Sequence, residues 1–213
     1  MYNLKKGLNI PISGSPEGTV SDSTKISHVG ILGPDYIGMK PTMMVEVGDQ
    51  VKIGSVLFED KKNPGVFFTS PAGGLIKSIN RGEKRRFISI EIEVADQENQ
   101  VEILNDSDEI LFRNLSKYGV INNFRTRPFN KTPKPNDIPN DIFVNICDTN
   151  PLSVDPYIYL QHEIDLFNRS LMKLKEIFNC NIHVCYQNND FNNFIDGINS
   201  VSYTHLTLPT NSS

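Results

Sequence analysis

Between His28 and Ala95 the apolar positions come in short β-branched and aromatic runs broken by turn dipeptides: Val29–Leu32, Met44–Val47, Ser55–Phe58, Gly65–Phe68, Leu75–Ile79 and Phe87–Val94. Many short strands at close spacing predict a small barrel or sandwich. In the last run Ile88, Ile90, Ile92 and Val94 alternate with Ser89, Glu91 and Glu93, which predicts one buried and one wet face. Residues 1–27 are rich in Gly, Pro, Ser and Thr, as in Pro11-Ile12-Ser13-Gly14-Ser15-Pro16, and read as an extended leader. Asp106 with Glu109 three residues on starts a helical spacing of Ile110, Leu111, Leu115 and Tyr118 that Gly119 can stop. Pro128, Pro133, Pro135 and Pro139 then exclude regular helix or central strand, and the stretch reads as a stiff linker.

From Asp141 the pattern changes. Asp141–Cys147 and Asn181–Tyr186 read as strands, and between them Leu160, Ile164, Phe167, Leu171, Leu174 and Phe178 recur in steps of four and three, the stripe of a helix lying on a sheet. Strand, helix, strand predicts a βαβ unit with a right-handed crossover. One such unit cannot cover both faces of its strands, so this α/β domain reads as cut short. The Ser/Thr/Leu-rich end, Ser200-Val201-Ser202-Tyr203-Thr204-His205-Leu206, differs from the Asn- and Asp-rich text before it. It resembles translated adapter read-through and is expected to be non-native. The expected organisation is a leader 1–27, a β-domain 28–104, a helix and linker 105–140, a partial α/β domain 141–199 and a tail 200–213.

Composition narrows the function classes. A chain of 213 residues is one large or two small domains, and 38% hydrophobic with 22% charged residues describes a folded protein rather than a disordered one. There is no run of about 18–20 apolar residues, and no apolar signal region follows Lys5-Lys6, so neither a span nor secretion is expected. With Lys+Arg 21 against Asp+Glu 25 the net charge is −4, which makes no global case for nucleic acid or an anionic membrane and leaves only a local patch open. Cys147, Cys180 and Cys185 are odd in number with no Cys-x-x-Cys pair. They read as buried reduced thiols rather than a disulfide, zinc or iron–sulfur framework. His28, His162, His183 and His205 lack ligand spacing, and no metal site is expected.

Gly48-Asp49 leading to Glu59-Asp60-Lys61-Lys62, then Ser70-Pro71-Ala72-Gly73-Gly74 and Arg81-Gly82-Glu83, resembles the biotinyl/lipoyl-type barrel-sandwich fold. In that family a carrier lysine rides a tight turn, and Lys61 occupies nearly that position. Glu59 directly precedes Asp60, however, and Lys62-Asn63-Pro64-Gly65 follows where a short hydrophobic residue is usual, so Lys61 is expected to be an unmodified turn lysine.

A wider resemblance covers roughly residues 4–199. Lys5-Lys6-Gly7-Leu8, Gly38-Met39-Lys40-Pro41-Thr42-Met43, Leu57-Phe58-Glu59-Asp60-Lys61-Lys62-Asn63-Pro64-Gly65, Asn80-Arg81-Gly82-Glu83-Lys84-Arg85, Arg125-Thr126-Arg127-Pro128-Phe129 and Asp148-Thr149-Asn150-Pro151-Leu152 resemble, in order, the A subunits of sodium-translocating NADH:quinone oxidoreductases. The resemblance implies an α+β multi-domain chain, a biotinyl/lipoyl-like barrel-sandwich followed by a truncated Rossmann-like α/β domain, forming the N-terminal part of a protein about twice as long. It implies a peripheral subunit on the cytoplasmic face of the bacterial inner membrane, in a respiratory complex that oxidises NADH, reduces ubiquinone and exports sodium. Its partners would be the other subunits, especially the membrane subunits, and non-covalently bound ubiquinone. NADH, flavin and iron–sulfur chemistry would sit on those other subunits, and this fragment alone would be inactive. No Gly-x-Gly-x-x-Gly follows the 142–147 strand. The related alternative is the C subunit of Rnf-type ferredoxin:NAD oxidoreductases, and a third reading is a carrier domain modified at Lys61.

Candidate binding residues follow from position. Open α/β domains bind ligands beyond the carboxyl ends of their strands, where Asp148, Thr149 and Asn150 fall; the competing reading is a local turn with Pro151 opening a helix. Arg125 and Arg127 carry planar donor forks that suit a quinone carbonyl or a carboxylate, and the competing reading is an interface salt bridge. Phe67, Phe68, Phe87 and Phe143 are expected in the core. No catalytic residue is assigned.

Overall fold

A computed structural model describes residues 12–20, 25–95, 101, 115–148, 150, 152–186 and 198–202. The chain divides into two compact units, Ser23–Asp137 and, from the two ends of the sequence, Met1–Asp22 with Ile138–Ser213.

The first unit holds two sheets. One has the order β1-β7-β6-β3, from His28–Leu32, Phe87–Val94, Gly74–Arg81 and Gln50–Val51, with each neighbouring pair antiparallel. The other has the order β2-β4-β5, from Pro41–Met43, Val56–Asp60 and Phe67–Thr69, also antiparallel. Their inner faces share one core, in which Leu57, Phe58, Val66, Ile76, Ile90 and Ile92 are fully buried. Phe58 stacks on Phe68 with ring centroids 4.6 Å apart and meets Phe87 edge-on at 5.2 Å. Burial of this kind is the main force holding such a domain together.

Irregular register bends these short strands. The pairing shifts between Val56 and Phe58, between Ile76 and Ser78, and between Asn80 and Arg81, where Arg81 opposes Phe87 and Asn80 opposes Ser89. A bulge turns successive side chains toward the same face, and Leu57 and Phe58 are accordingly both buried. The third shift overturns one expectation. Ile88 is 43% exposed and Phe87 is buried in its place, because Ile88 is the extra residue of the bulge and the inward phase is carried by Phe87, Ile90 and Ile92. At Gly74 the strands approach so closely that a Cβ would stand 2.0 Å from the Glu93 carbonyl oxygen.

The expected strand Met44–Val47 is a second correction. Met44 N–H still bonds the Leu57 carbonyl at 2.9 Å, but Gly48 N–H bonds Ile76 at 2.9 Å, so the segment crosses from one sheet to the other and pairs along neither. The 105–119 helix falls largely outside the described residues; 115–117 are helical and Gly119 follows with φ 74, a left-handed stop. Just after that glycine Ile121 joins the core, and in the proline-rich stretch the Pro133 carbonyl accepts from the Asn63 amide at 3.2 Å.

In the second unit β8 (Asp141–Asn145) and β9 (Asn181–Tyr186) are parallel, joined through α1 (Tyr157–Leu160) and α2 (Ile164–Phe178). The expected stripe is the covered one, since Leu171 and Phe178 are buried and Ile164, Phe167 and Leu174 half-buried, and α2 packs on β9. The helix is broken once, at 161–163, where Glu163 N–H turns back to the Leu160 carbonyl at 3.0 Å. A third parallel strand, β10 (Asn199–Ser202), pairs with the other side of β9, so it includes the first residues of the stretch expected to be a tail. The leader segment 12–20 has no regular structure.

Candidate functional site

Arg125 and Arg127 belong to the first unit and Asp148 and Asn150 to the second; Thr149 and Pro151 lie outside the described residues.

Arg125 is half-buried. Its guanidinium lies 5.1 Å from the Tyr36 ring centroid, and Tyr36 in turn meets Phe68 edge-on at 4.6 Å. One terminal nitrogen donates to the carbonyls of Asn122 and Phe124. Arg125 thus pins the 3-10 turn Val120–Asn123 to the aromatic core. Arg127 stands in a tight turn closed by Thr126 and Lys131, with Thr126 N–H donating to the Lys131 carbonyl at 2.7 Å. It is exposed, and its neighbour Phe129 is 71% exposed.

Asp148 lies three residues beyond the carboxyl end of β8. Its carboxylate accepts from the Asn150 backbone N–H at 2.9 Å and from the Asn150 side-chain amide at 2.7 Å. The Ser153 hydroxyl donates to the Asp148 carbonyl at 2.9 Å. These bonds make a self-contained Asx turn, set where a ligand at the strand ends would meet it. Asp155 then accepts from Tyr157 N–H at 3.0 Å and starts α1.

Lys61 is exposed on the loop after β4. The carboxylates beside it are turned inward to order that loop. Asp60, 8% exposed, accepts from the backbone N–H groups of Lys40 and Lys62, each at 3.0 Å. Glu59 accepts from Gly65 N–H at 2.8 Å.

Phe68 and Phe87 are buried and Phe67 half-buried, but Phe143 is 63% exposed. On β8 it alternates with buried Ile142 and so points to the opposite face, where its ring stacks on His183 at 4.8 Å. His183 Nε2 lies 2.8 Å from Asp141 Oδ1, and that contact, helped by the Asn181 amide, lowers the Asp141 pKa below the usual carboxylate value. The three cysteines are free. Burial raises the thiol pKa of Cys147 and of Cys180, which keeps both protonated and poorly nucleophilic.

One feature lies beyond what the sequence pattern predicts. An open cavity of about 510 Å³ in the first unit is lined by Lys40, Lys62, Arg81, Lys84, Arg85 and Arg86. The run 81–86 is legible as a basic stretch, but Lys40 and Lys62 join it only in the fold, where the Asp60 carboxylate accepts from both backbone N–H groups and Lys61 N–H bonds the Lys40 carbonyl. Among the described residues no group of three His, Cys, Asp or Glu is placed to hold a metal ion, and no helix is long and apolar enough to cross a membrane.

Two family models match in order along the chain. One, described as the NqrA N-terminal barrel-sandwich hybrid domain, matches residues 2–95, and the other, the NqrA second alpha/beta domain, residues 106–209. A curated protein of Yersinia pestis bv. Antiqua (strain Angola), named as the A subunit of Na(+)-translocating NADH-quinone reductase, is 46% identical over 193 residues, 87% of this chain and 43% of its own length. The proteins of that name from Neisseria meningitidis serogroup B (47% over 192 residues) and Histophilus somni (42% over 192) cover the same shares. The chain thus spans less than half the length of the curated relatives it matches, 43% in each case.

Proposed function

Because the chain belongs to the NqrA family, the A subunits of Na(+)-translocating NADH-quinone reductase, we propose that it serves as a peripheral subunit of a complex coupling NADH oxidation and ubiquinone reduction to sodium export. The observation that carries this reading is the succession of both NqrA domains, over 2–95 and 106–209, at 42–47% identity to relatives of that name. The same match favours the sodium pump over an Rnf-type C subunit.

In this reading the chain docks on the membrane subunits from the cytoplasmic face and contributes to quinone binding or assembly, while the redox groups sit on other subunits. Quinone-contact candidates are kept separate for the two units: in the second the turn of Asp148 and Asn150, and in the first Arg127, whose exposed donor fork suits a carbonyl oxygen. Arg125 is already engaged with Tyr36 and two backbone carbonyls, so its part is to hold the fold. Lys61 is read as an ordinary loop lysine.

The test is genetic and kinetic. Deleting the gene that carries this reading frame from its source organism is expected to abolish sodium-stimulated NADH:quinone reductase activity in the membranes; retained activity overturns the subunit reading. Restoring the complete gene with Arg127→Ala is expected to raise the KM for ubiquinone about tenfold, the loss of one charge-assisted hydrogen bond. An unchanged KM in a restored complex removes the quinone contact and leaves the subunit reading standing.

A further inference from the structure

None of the residues assigned above to quinone contact is among those lining the cavity beside the β6–β7 hairpin. Six of its lining residues are lysine or arginine and none is aspartate or glutamate, in a chain whose net charge is −4. Chance scatter of a slightly acidic composition does not favour such a cluster, and a concave surface lined by one sign of charge concentrates counter-ions. The one buried carboxylate nearby, Asp60, faces the backbone N–H groups of Lys40 and Lys62 and anchors both residues at the rim.

The hairpin itself is unusual. Lys84 (φ 53) and Arg85 (φ 61) both adopt the left-handed conformation, and Arg86 N–H closes the turn on the Glu83 carbonyl at 3.1 Å. This is the backbone of a tight hairpin turn that favours Asn-Gly, because side chains with a Cβ resist positive φ. Two cations stand where stability alone would select neither, a pattern typical of functional sites.

The rest of the wall is apolar, with Ile37, Met39 and Phe87 among its lining. A volume of about 510 Å³ falls within the usual range for small-molecule sites, about 300–1,000 Å³, and exceeds what a bare anion would fill. Guanidinium forks match the oxygens of phosphate, and ammonium groups add point charges around it. A lone carboxylate has too little charge for six cations. We infer that this cavity binds a phosphate ester, with its phosphate held by the cations of Lys40, Lys62 and the 81–86 hairpin and its apolar or aromatic part against Ile37 and Met39. The ester is either a soluble organic phosphate or the headgroup of an anionic phospholipid.

The test uses the whole chain in phosphate-free buffer at physiological ionic strength. Calorimetric titration with ADP and inorganic pyrophosphate probes the soluble source. Flotation with vesicles of phosphatidylglycerol and phosphatidylcholine in equal parts, against phosphatidylcholine alone, probes the lipid source. The decisive variant is K84N/R85G, which removes two cations while installing the residues the turn prefers, so its thermal midpoint should hold or rise. Binding to at least one probe is expected to weaken about tenfold or more in this variant, as for lost charge-assisted hydrogen bonds, and to persist in Lys175→Gln, a charge change on α2 of the other unit. Lys62→Gln, which leaves the turn intact, should weaken it in the same direction and decides the matter should K84N/R85G fail to fold. Loss of ADP binding assigns the soluble source and loss of vesicle binding the lipid source. The inference is overturned by no binding of any probe, by equal binding in the cavity variants and the wild type, or by citrate binding as tightly as pyrophosphate.

Discussion

Arg125 and Arg127 are two positions apart and equivalent on sequence, yet their surroundings separate them. Arg125 stacks over Tyr36 and bonds two carbonyls, whereas Arg127 projects from a turn that Thr126 and Lys131 close without it. Arg125→Ala is therefore expected to destabilise the first unit by about 1–3 kcal/mol, from a partly buried cation–π contact and charge-assisted hydrogen bonds. Arg127→Ala should stay within about 0.5 kcal/mol of the parent. Chemical denaturation of the two variants side by side checks this, and equal losses would remove the structural distinction. Asp148 and Asn150 are legible as a turn because Asx geometry is local. The pairing of Asp141 with His183 is not, since the two residues meet only once β8 and β9 align.

At the scale of elements, α2 follows from its periodicity, because a stripe repeating at 3.6 residues has one way to lie on a sheet. The β-strands of the first unit are legible in number and approximate place, but their inner faces are not where bulges intervene. A bulge changes the phase of alternation without changing composition, so Ile88 looks equivalent to Ile90 in the sequence and is not. Ile90→Ala is expected to cost about 2–5 kcal/mol, the range for emptying a fully buried aliphatic site, while Ile88→Ala should fall within about 0.5 kcal/mol. Urea unfolding measured for both variants tests the assignment; a larger loss for Ile88 would mean that the strand keeps the simple alternation instead.

For the whole molecule, every fully buried member of the barrel-sandwich core lies between Val51 and Ile121. A segment covering Ser23–Asp137 should therefore unfold in one cooperative transition when produced alone, followed by circular dichroism on heating; a gradual, featureless melt would show that its core needs the rest of the chain. The order of a β-rich barrel-sandwich and an α/β unit, the parallel character of β8 and β9, and the family are legible along the chain, because hydrophobic periodicity, turn chemistry and ordered motifs are all properties of neighbouring residues. Folding settles which arginine braces the core, which isoleucine faces solvent, that Phe143 stands exposed, and that Lys40 and Lys62 join the 81–86 hairpin around one cavity. Each of those depends on register and on the meeting of segments distant in the chain, which local sequence preferences do not encode.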